Sequence, residues 1–244
     1  MVLQLDGDQD PGRRRRTAGL VEQLARPAAR FLQPRLEELL HRYVAADDSV
    51  ARDQIARVLA GACESAALPA LLRALVEDRN DDGGTLQRDV LKLFRGSPTE
   101  AMEQVMSCLA AEDAGLRRVG VWGLSALDWS QRDEYIELVV EAGSDVDSSV
   151  RSEAMSALGS VFGAGHPRAR EAVMAAVRDV DPEVRRSAVE ALRSWSDDET
   201  EALLLTCADD PDSWVRSQAA RALAGIRRRE RAPRHLLDAL PHEL

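Results

Sequence analysis

One sequence motif returns six times along the chain at a nearly constant spacing. Its clearest copy is Asp181-Pro182-Glu183-Val184-Arg185-Arg186-Ser187-Ala188-Val189-Glu190-Ala191-Leu192. The positions equivalent to Arg185 are 52, 87, 117, 151, 185 and 216, so consecutive copies lie 35, 30, 34, 34 and 31 residues apart. A recurring period of this size is typical of a solenoid in which helical hairpins stack on one another.

The apolar residues of the motif have the spacing of one helix face. Apolar side chains recur at the Val184 position, called V below, and at V+4, V+7 and V+8. At 3.6 residues per turn these positions share one side of a helix, which we expect to be buried. Asp181, three residues before V, predicts an N-cap, and Pro182 suits the first helical position. Five copies have Asp there, whereas the copy at 83–94 has Gly83, and Gln87 in place of the arginine.

Between these helices the chain contains the start signals of others. Ser97-Pro98-Thr99-Glu100 and Ser196-Asp197-Asp198-Glu199 both have the pattern of a capping box. Each repeat is therefore predicted to be a first helix, a short turn and a second helix. Since no long run alternates with period 2, we predict an all-α fold. It is a right-handed α-solenoid of about six hairpins with capping helices at both ends.

The ends of the chain differ in composition from the repeats. We expect a disordered basic tail at 1–16 and N-terminal capping helices at 17–46, with a break near Pro27 or Pro34. The repeat solenoid is predicted to span 47–226. A basic segment and a short capping helix are expected at 227–244.

The Asp-x-x-Val-Arg-x-x-Ala-x-x-Ala-Leu core resembles HEAT repeats, in the short bacterial form also called phycobilin-lyase-like repeats. The resemblance covers roughly residues 47–226 and is specific for the fold rather than for a function. It implies a ladder of hydrogen bonds between successive repeats, formed by the cap aspartate and the arginine that follows it. The implied pairs are Asp48/Arg52, Asp113/Arg117, Asp147/Arg151, Asp181/Arg185 and Asp212/Arg216.

The composition argues against several classes of function. The net charge of −10 argues against indiscriminate binding to nucleic acid. Three widely separated cysteines indicate a reducing compartment, and no metal-ligand spacing is present, so no cofactor is expected. We expect no membrane-spanning run and no signal peptide, and hence a cytoplasmic protein. The arginine-to-lysine bias, with Lys92 as the only lysine, is typical of a GC-rich and therefore bacterial genome.

The second helices present a second pattern on the side opposite their apolar face. Positions V+2, V+6 and V+9 point away from the core, and in HEAT repeats the second helices line the concave surface. These eighteen positions include eight cations and two anions. The charged members are Asp53, Arg57, Arg88, Lys92, Arg95, Arg118, Arg186, Glu190, Arg193 and Arg221. The alternative is an ordinary solvated face on which Glu190 pairs locally with Arg186 and Arg193.

A basic groove on an acidic body favours an anionic partner. We therefore expect a non-enzymatic scaffold or adaptor that binds another protein, through an acidic segment, along its concave face. Val119 and Trp122 would form a central apolar patch, because large exposed aromatics often anchor interfaces. Alternatively, Trp122 covers the space left by Gly120 and Gly123. Nucleic acid is the other partner that such a groove would accept, and the oligomeric state stays open.

The sequence gives little support to an enzymatic function. The four histidines are scattered, and the only adjacent His–Glu pair is His242-Glu243 near the C-terminus, so iron binding of the kind found in some HEAT-repeat enzymes is disfavoured. DNA glycosylases with HEAT-like repeats use a basic groove, for which Trp122, Arg118 and Asp89 are the available residues. Bilin lyases share the repeat, but no residue here identifies a chromophore site. No catalytic residue is assigned, because no nucleophile–base pair or phosphate-binding loop is visible.

Overall fold

The computed structural model describes residues 28–77, 84–127, 132–159, 166–193, 195 and 197–231, and throughout these ranges regular structure is helical, without strands. The fold class predicted from the repeat, an α-solenoid of helical hairpins, is confirmed. The helices group into two compact units, Met1–Trp129 and Ser130–Leu244.

Unit 1 contains three helical hairpins. Within it α1 packs on α2, α3 on α4, and α5 on α6, while the second helices α2 and α4 also pack on each other. A short 3-10 turn, Glu64–Ala67, separates α2 from α3. The helices of unit 1 are α1 (Ala29–Ala45), α2 (Ser49–Cys63), α3 (Leu68–Glu77), α4 (Thr85–Gly96), α5 (Pro98–Leu109) and α6 (Ala114–Ala126).

Unit 2 repeats the same arrangement with greater regularity. Its hairpins are α7 with α8, α9 with α10, and α11 with α12, and the second helices α8, α10 and α12 pack on one another in that order. The helices of unit 2 are α7 (Arg132–Ala142), α8 (Ser148–Ala157), α9 (Pro167–Ala176), α10 (Pro182–Leu192), α11 (Asp198–Cys207) and α12 (Ser213–Arg231).

The apolar face predicted for the second helices is the buried one. On α10, Val184, Ala188 and Leu192 are fully buried, and Ala191 is 6% exposed. The equivalent positions of α8 and α12 are also buried. Burial of these faces is the main favourable contribution to each stack.

The predicted N-caps are made where the motif has aspartate. The carboxylates of Asp48, Asp113, Asp147, Asp181 and Asp212 each accept a hydrogen bond from a backbone N–H in the first turn of their helix. In the deviant copy, Gly84 occupies the N-cap of α4 with φ +57°, a conformation that suits glycine.

The two predicted capping boxes are not made as expected. Ser97 lies at the N-cap of α5 but its side chain makes no cap hydrogen bond. At α11 the N-cap is Asp197, which accepts from Thr200 N, so the start of the helix is one residue later than the Ser196 pattern indicated. A carboxylate one residue downstream provides a charged acceptor at the positive end of the helix, which a serine does not.

The ends of the solenoid differ from the expected boundaries. A break near Pro34 was wrong, because α1 continues through that residue to Ala45. Pro34 is exposed and lies early in the helix, where its ring can be accommodated with the loss of one backbone hydrogen bond. At the other end α12 continues through the basic cluster to Arg231. The predicted tail at 1–16, the Pro27 break and the short helix beyond residue 231 lie outside the described residues.

One stretch, Ser49–Glu77, is apolar and long enough to span a membrane by length and composition, contrary to the expectation from sequence. It comprises α2, the 3-10 turn and α3, and Glu64 interrupts it with φ +53°. Of its most apolar window, 61% is buried inside the protein. Such burial is typical of core helices in a packed solenoid.

The contact between α5 and α6 depends on two glycines. A Cβ added at Gly120 would lie 2.8 Å from the backbone nitrogen of Leu109, and one at Gly123 would lie 2.6 Å from Val105 Cγ2. These glycines therefore leave no gap for Trp122 to cover, because side chains of α5 already fill the space. The close approach sets how the last hairpin of unit 1 is packed.

We expect Gly120→Ala to destabilise the protein by about 1–3 kcal/mol, because the added methyl group meets a backbone atom that cannot yield easily. Gly225→Ala is the matched control, since a Cβ at Gly225 has no neighbour within 4 Å. That change should be neutral or stabilising by up to about 1 kcal/mol through helix propensity. Thermal denaturation followed by circular dichroism measures both, and equal effects would contradict the packing argument.

Candidate partner-binding site

In unit 1 the cations predicted to point away from the core lie at accessible positions of the second helices. Arg88, Lys92 and Arg95 are exposed along α4, while Arg57 on α2 and Arg118 on α6 are half-buried. These five residues are called the basic row below. They lie at V+2, V+6 and V+9, on the side of their helices opposite the buried apolar face.

Three members of the basic row have no carboxylate partner among the described residues. Arg88 Nη2 donates to Thr85 Oγ1 at 2.9 Å and Arg88 Nε to the carbonyl of Gly84 at 3.3 Å. Arg57 and Arg95 make no hydrogen bond or ion pair within the described part of the chain. Both described partners of Arg88 are neutral, so none of these three guanidinium groups is paired with a described carboxylate.

Lys92 differs, because its charge is already matched. Its Nζ lies 2.7 Å from Oδ1 of Asp89, a carboxylate that is only 4% exposed, whereas the lysine is 68% exposed. The second oxygen of Asp89 has no hydrogen-bond partner and is inaccessible. Asp89 is therefore a buried counter-ion of Lys92 rather than an exposed acidic group that a substrate could reach.

The predicted apolar patch consists of Trp122 without Val119. Val119 is 4% exposed and belongs to the core of unit 1, so its assignment to the binding surface was wrong. At V+3 it lies on the flank of the apolar face, not opposite it. Trp122 is half-buried, and its ring lies 6.1 Å from that of buried Phe94 at an interplanar angle of 40°. Part of the Trp122 side chain therefore stays accessible to solvent.

In unit 2 the equivalent cations are largely engaged within the protein. Arg186 pairs with Asp212 at 2.8 Å and with Glu183, and its guanidinium lies 5.6 Å from the ring centre of Trp214. Glu190 forms an ion pair with Arg193 at 2.9 Å, as the alternative of a locally paired surface predicted, but Arg186 pairs with Asp212 and Glu183 and not with Glu190. Arg221 is exposed. The eighteen positions therefore do not form a uniformly available basic surface.

The stacked hairpins of unit 2 are joined by arginine clamps. The arginine that follows V donates to two carbonyls just before the N-cap of its own helix and, through Nε and Nη2, to an aspartate of the next repeat. Arg151 contacts Asp145 O, Val146 O and Asp179. Arg185 contacts Asp179 O, Val180 O and Asp210 in the same way. Arg117 and Arg216 make the corresponding bonds to carbonyls.

The carboxylate of each clamp is not the cap aspartate that the family resemblance implied. Asp179 and Asp210 lie two residues before the caps Asp181 and Asp212, and their side chains also accept the backbone N–H of those caps. The cap residues contact the preceding repeat through other side chains, Ser148 for Asp181 and Arg186 for Asp212. In unit 1 the same position is Ala46 and Ala111 in two copies and, in the third, Asp81, which lies outside the described residues, while buried Arg52 pairs with its neighbour Asp53. An Asp-x-Asp pattern before V was the available sequence signal.

The clamps change the acidity of their carboxylates. Hydrogen bonds from Arg151 lower the pKa of Asp179, and hydrogen bonds from Arg185 lower the pKa of Asp210. Outside the clamps, bonds from Arg170 hold the pKa of Asp197 far below its ordinary value. Burial raises the pKa of the thiols of Cys63, Cys108 and Cys207, which disfavours reactive thiolates. No cluster of three or more His, Cys, Asp or Glu able to hold a metal occurs in the described ranges.

This chain is similar to known proteins in its repeated helical motif. The sequence model described as HEAT repeats matches residues 102–193 and 171–243, together more than half of the chain. The match does not extend to the phycobilin-lyase-like subfamily. No curated protein matches the sequence.

Among solved structures, a chain of the Kap95p–RanGDP structure has a TM-score of 0.56 at 13% identity, over 92% of this chain and 35% of that one. A designed armadillo repeat protein in complex with the peptide (KR)4 has a TM-score of 0.43 at 14% identity, over 92% and 98%. Human deoxyhypusine hydroxylase has a TM-score of 0.42 at 19% identity, over 91% and 82%. At such identities the similarity to the first structure establishes the fold alone.

Arg185→Ala should destabilise unit 2 by about 3 kcal/mol, because the change leaves a buried aspartate and two carbonyls without their donor. Arg178→Ala, which removes an exposed arginine with no hydrogen bond or ion pair among the described residues, is the control and should stay within about 0.5 kcal/mol. Urea denaturation compares the two. Similar losses in both variants would show that the clamp does not stabilise the stack.

The clamps also predict a pH dependence. Because the folded pKa values of Asp179 and Asp210 are lowered, their stabilisation is complete above the unfolded value of about 3.9 and disappears as pH falls through the folded values. The variant Asp179→Asn with Asp210→Asn should therefore unfold at a lower temperature than the parent at pH 7. The gap should narrow as the pH falls below about 4. A constant gap across this range would contradict the assignment.

Proposed function

Because the chain belongs to the HEAT-repeat family, we propose that it is a non-enzymatic scaffold or adaptor that binds an acidic segment of another protein along the basic row of unit 1. HEAT and armadillo repeats are the fold of many protein-interaction scaffolds. The surface assigned here is narrower than the one expected from sequence, because it excludes Val119 and the internally paired cations of unit 2.

The observation on which this proposal depends is that Arg57, Arg88 and Arg95 have no carboxylate partner in the part of the chain that the structure describes. An arginine without a carboxylate neighbour loses no existing ion pair when a ligand carboxylate arrives. Its planar guanidinium group can also donate two parallel hydrogen bonds to that carboxylate. Arg186 would have to give up Asp212 first, which makes unit 2 the weaker candidate.

Trp122 supplies the apolar part of the proposed contact. Its ring contacts that of Phe94, so little side-chain entropy is lost when a ligand covers its accessible part. Tryptophan and arginine are the side chains most often found at interface hot spots. A partner segment with several carboxylates and one apolar side chain therefore matches the chemistry of this surface.

The other functions considered from the sequence receive no comparable support. A glycosylase-like site would need an accessible acid, whereas Asp89 is buried against Lys92. His242-Glu243 lies outside the described residues, and none of the contacts described above favours a bilin site. A cytoplasmic location fits a protein-binding adaptor and belongs to the same proposal.

Affinity capture from the native host, followed by identification of the bound material, tests the proposal directly. The variant Arg57→Ala, Arg88→Ala and Arg95→Ala should lose the captured protein and weaken its binding at least about tenfold. The matched control is Arg73→Ala, Arg168→Ala and Arg228→Ala, which removes the same charge from exposed sites outside the row and should leave binding within about twofold.

Capture of nucleic acid instead, with an affinity that falls steeply with salt concentration, would replace the proposed partner by a phosphate backbone. Equal losses in both triple variants would show that net charge matters and the row does not. Full binding by the Arg57, Arg88 and Arg95 variant would remove unit 1 from the proposed site.

A further inference from the structure

A separate groove lies on the first helices of unit 2, away from the second helices that bear the predicted rows. It is a cavity of about 520 Å³ between α9 and α11, within the size range of ligand sites. Buried Leu203 and half-buried Met174 line it, together with two exposed alanines, Ala175 and Ala202, which are called its walls below. The groove is open to solvent.

Charge is distributed asymmetrically along this groove. Glu171, the fifth residue of α9, and Glu199, in the first turn of α11, line one end, whereas Arg178 lines the other end, just past the C-terminus of α9. Seven residues separate Glu171 from Arg178, which corresponds to two helical turns or about 10 Å. Glu199 is held by Arg170 at 3.0 Å, while Glu171 and Arg178 have no hydrogen bond or ion pair among the described residues.

We propose that this groove binds an amphipathic helix of a partner protein, with the pattern Glu-x-x-Leu-Leu-x-x-Lys, running antiparallel to α9 and α11. Positions 1, 4, 5 and 8 of that pattern share one helix face over two turns, which matches the length of the groove. The two leucines lie on Leu203 and Met174. The glutamate pairs with Arg178, and the lysine lies between Glu171 and Glu199.

The direction of the bound helix follows from electrostatics. Successive first helices of a hairpin stack run in the same direction, because each is followed by a helix that returns. A partner helix that places its glutamate at Arg178 has that glutamate near its own N-terminus and its lysine near its own C-terminus. Both placements are favoured by the helix dipole, and the opposite direction would reverse both.

The groove is independent of the basic row, because the two surfaces share no residue and lie in different units. The proposal therefore adds a second binding surface of different chemistry. The basic row selects carboxylates next to an aromatic ring, whereas the groove selects an apolar helix face with one charge of each sign.

The experiment uses the full chain and an alanine-based peptide of about 18 residues, long enough to form a helix, with one central Glu-Ala-Ala-Leu-Leu-Ala-Ala-Lys sequence. Fluorescence anisotropy should give saturable binding. Ala202→Arg and Ala175→Arg, each of which fills the groove from one wall, should weaken it at least about tenfold. Arg168→Ala, on α9 outside the groove, should have no effect, and the circular dichroism of each variant confirms folding.

A double-mutant cycle tests the proposed ion pair and the direction together. Arg178→Ala should weaken binding of the parent peptide by about fivefold and have little effect on a peptide whose glutamate is replaced by alanine. Independent effects of the two changes would overturn the orientation. Absence of saturable binding, or full binding by both arginine wall variants, would overturn the site.

Sedimentation velocity across a range of concentrations separates the proposed occupant from a second copy of this chain. Under the proposal the unliganded chain shows the same sedimentation behaviour with and without Ala202→Arg. A self-association that Ala202→Arg abolishes would overturn the proposal, because the groove would then be an interface between copies.

Discussion

The order of the second helices in unit 2 depends on the arginine clamp. Each clamp ties a guanidinium to two carbonyls that end the preceding turn and to one carboxylate of the next repeat. The bonds of Arg185 to Asp179 O and to Asp210 show both halves of this arrangement. Because both clamp partners, Arg185 and Asp210, are nearly buried, the charges are protected from screening by salt. The planar guanidinium group forms its paired hydrogen bonds in one geometry, so the clamp fixes the distance and register of adjacent hairpins.

The same clamp explains why two valines are almost fully exposed. In Asp145-Val146-Asp147 and Asp179-Val180-Asp181 each aspartate side chain turns toward a backbone N–H. The residue between them is left pointing outward, and Val146 and Val180 are 93% and 91% exposed. The third copy has Pro211 there, which is exposed as well. The apolar character of this position is therefore tolerated and is not required by the core.

Much of the fold could be predicted from the sequence, because helix periodicity and N-caps are local properties. The buried faces of the second helices and the five aspartate caps were identified in this way. The site was predicted less well, since it depends on contacts between repeats. The period placed Arg186 and Arg88 in one row, but only the structure separates them, since Asp212 and Trp214 engage Arg186 from the next repeat. The prediction that Val119 is exposed was wrong for a related reason. A position on the flank of a helix can be exposed or buried, according to how closely the neighbouring helix approaches.

The contrast between the units follows from where the carboxylates lie. In unit 2 the cap Asp212 accepts from Arg186 of the preceding repeat, and Glu190 pairs with Arg193 on the same helix. In unit 1 the cap Asp113 follows α4 in the same order, but its carboxylate accepts from Leu116 N, and Arg88 donates to Thr85 and to the carbonyl of Gly84. Arg57, Arg88 and Arg95 are therefore unpaired by carboxylates among the described residues. One repeat motif can in this way produce two different surfaces without any change of fold. In one unit the cations pair with carboxylates of the protein, and in the other they have no carboxylate partner among the described residues.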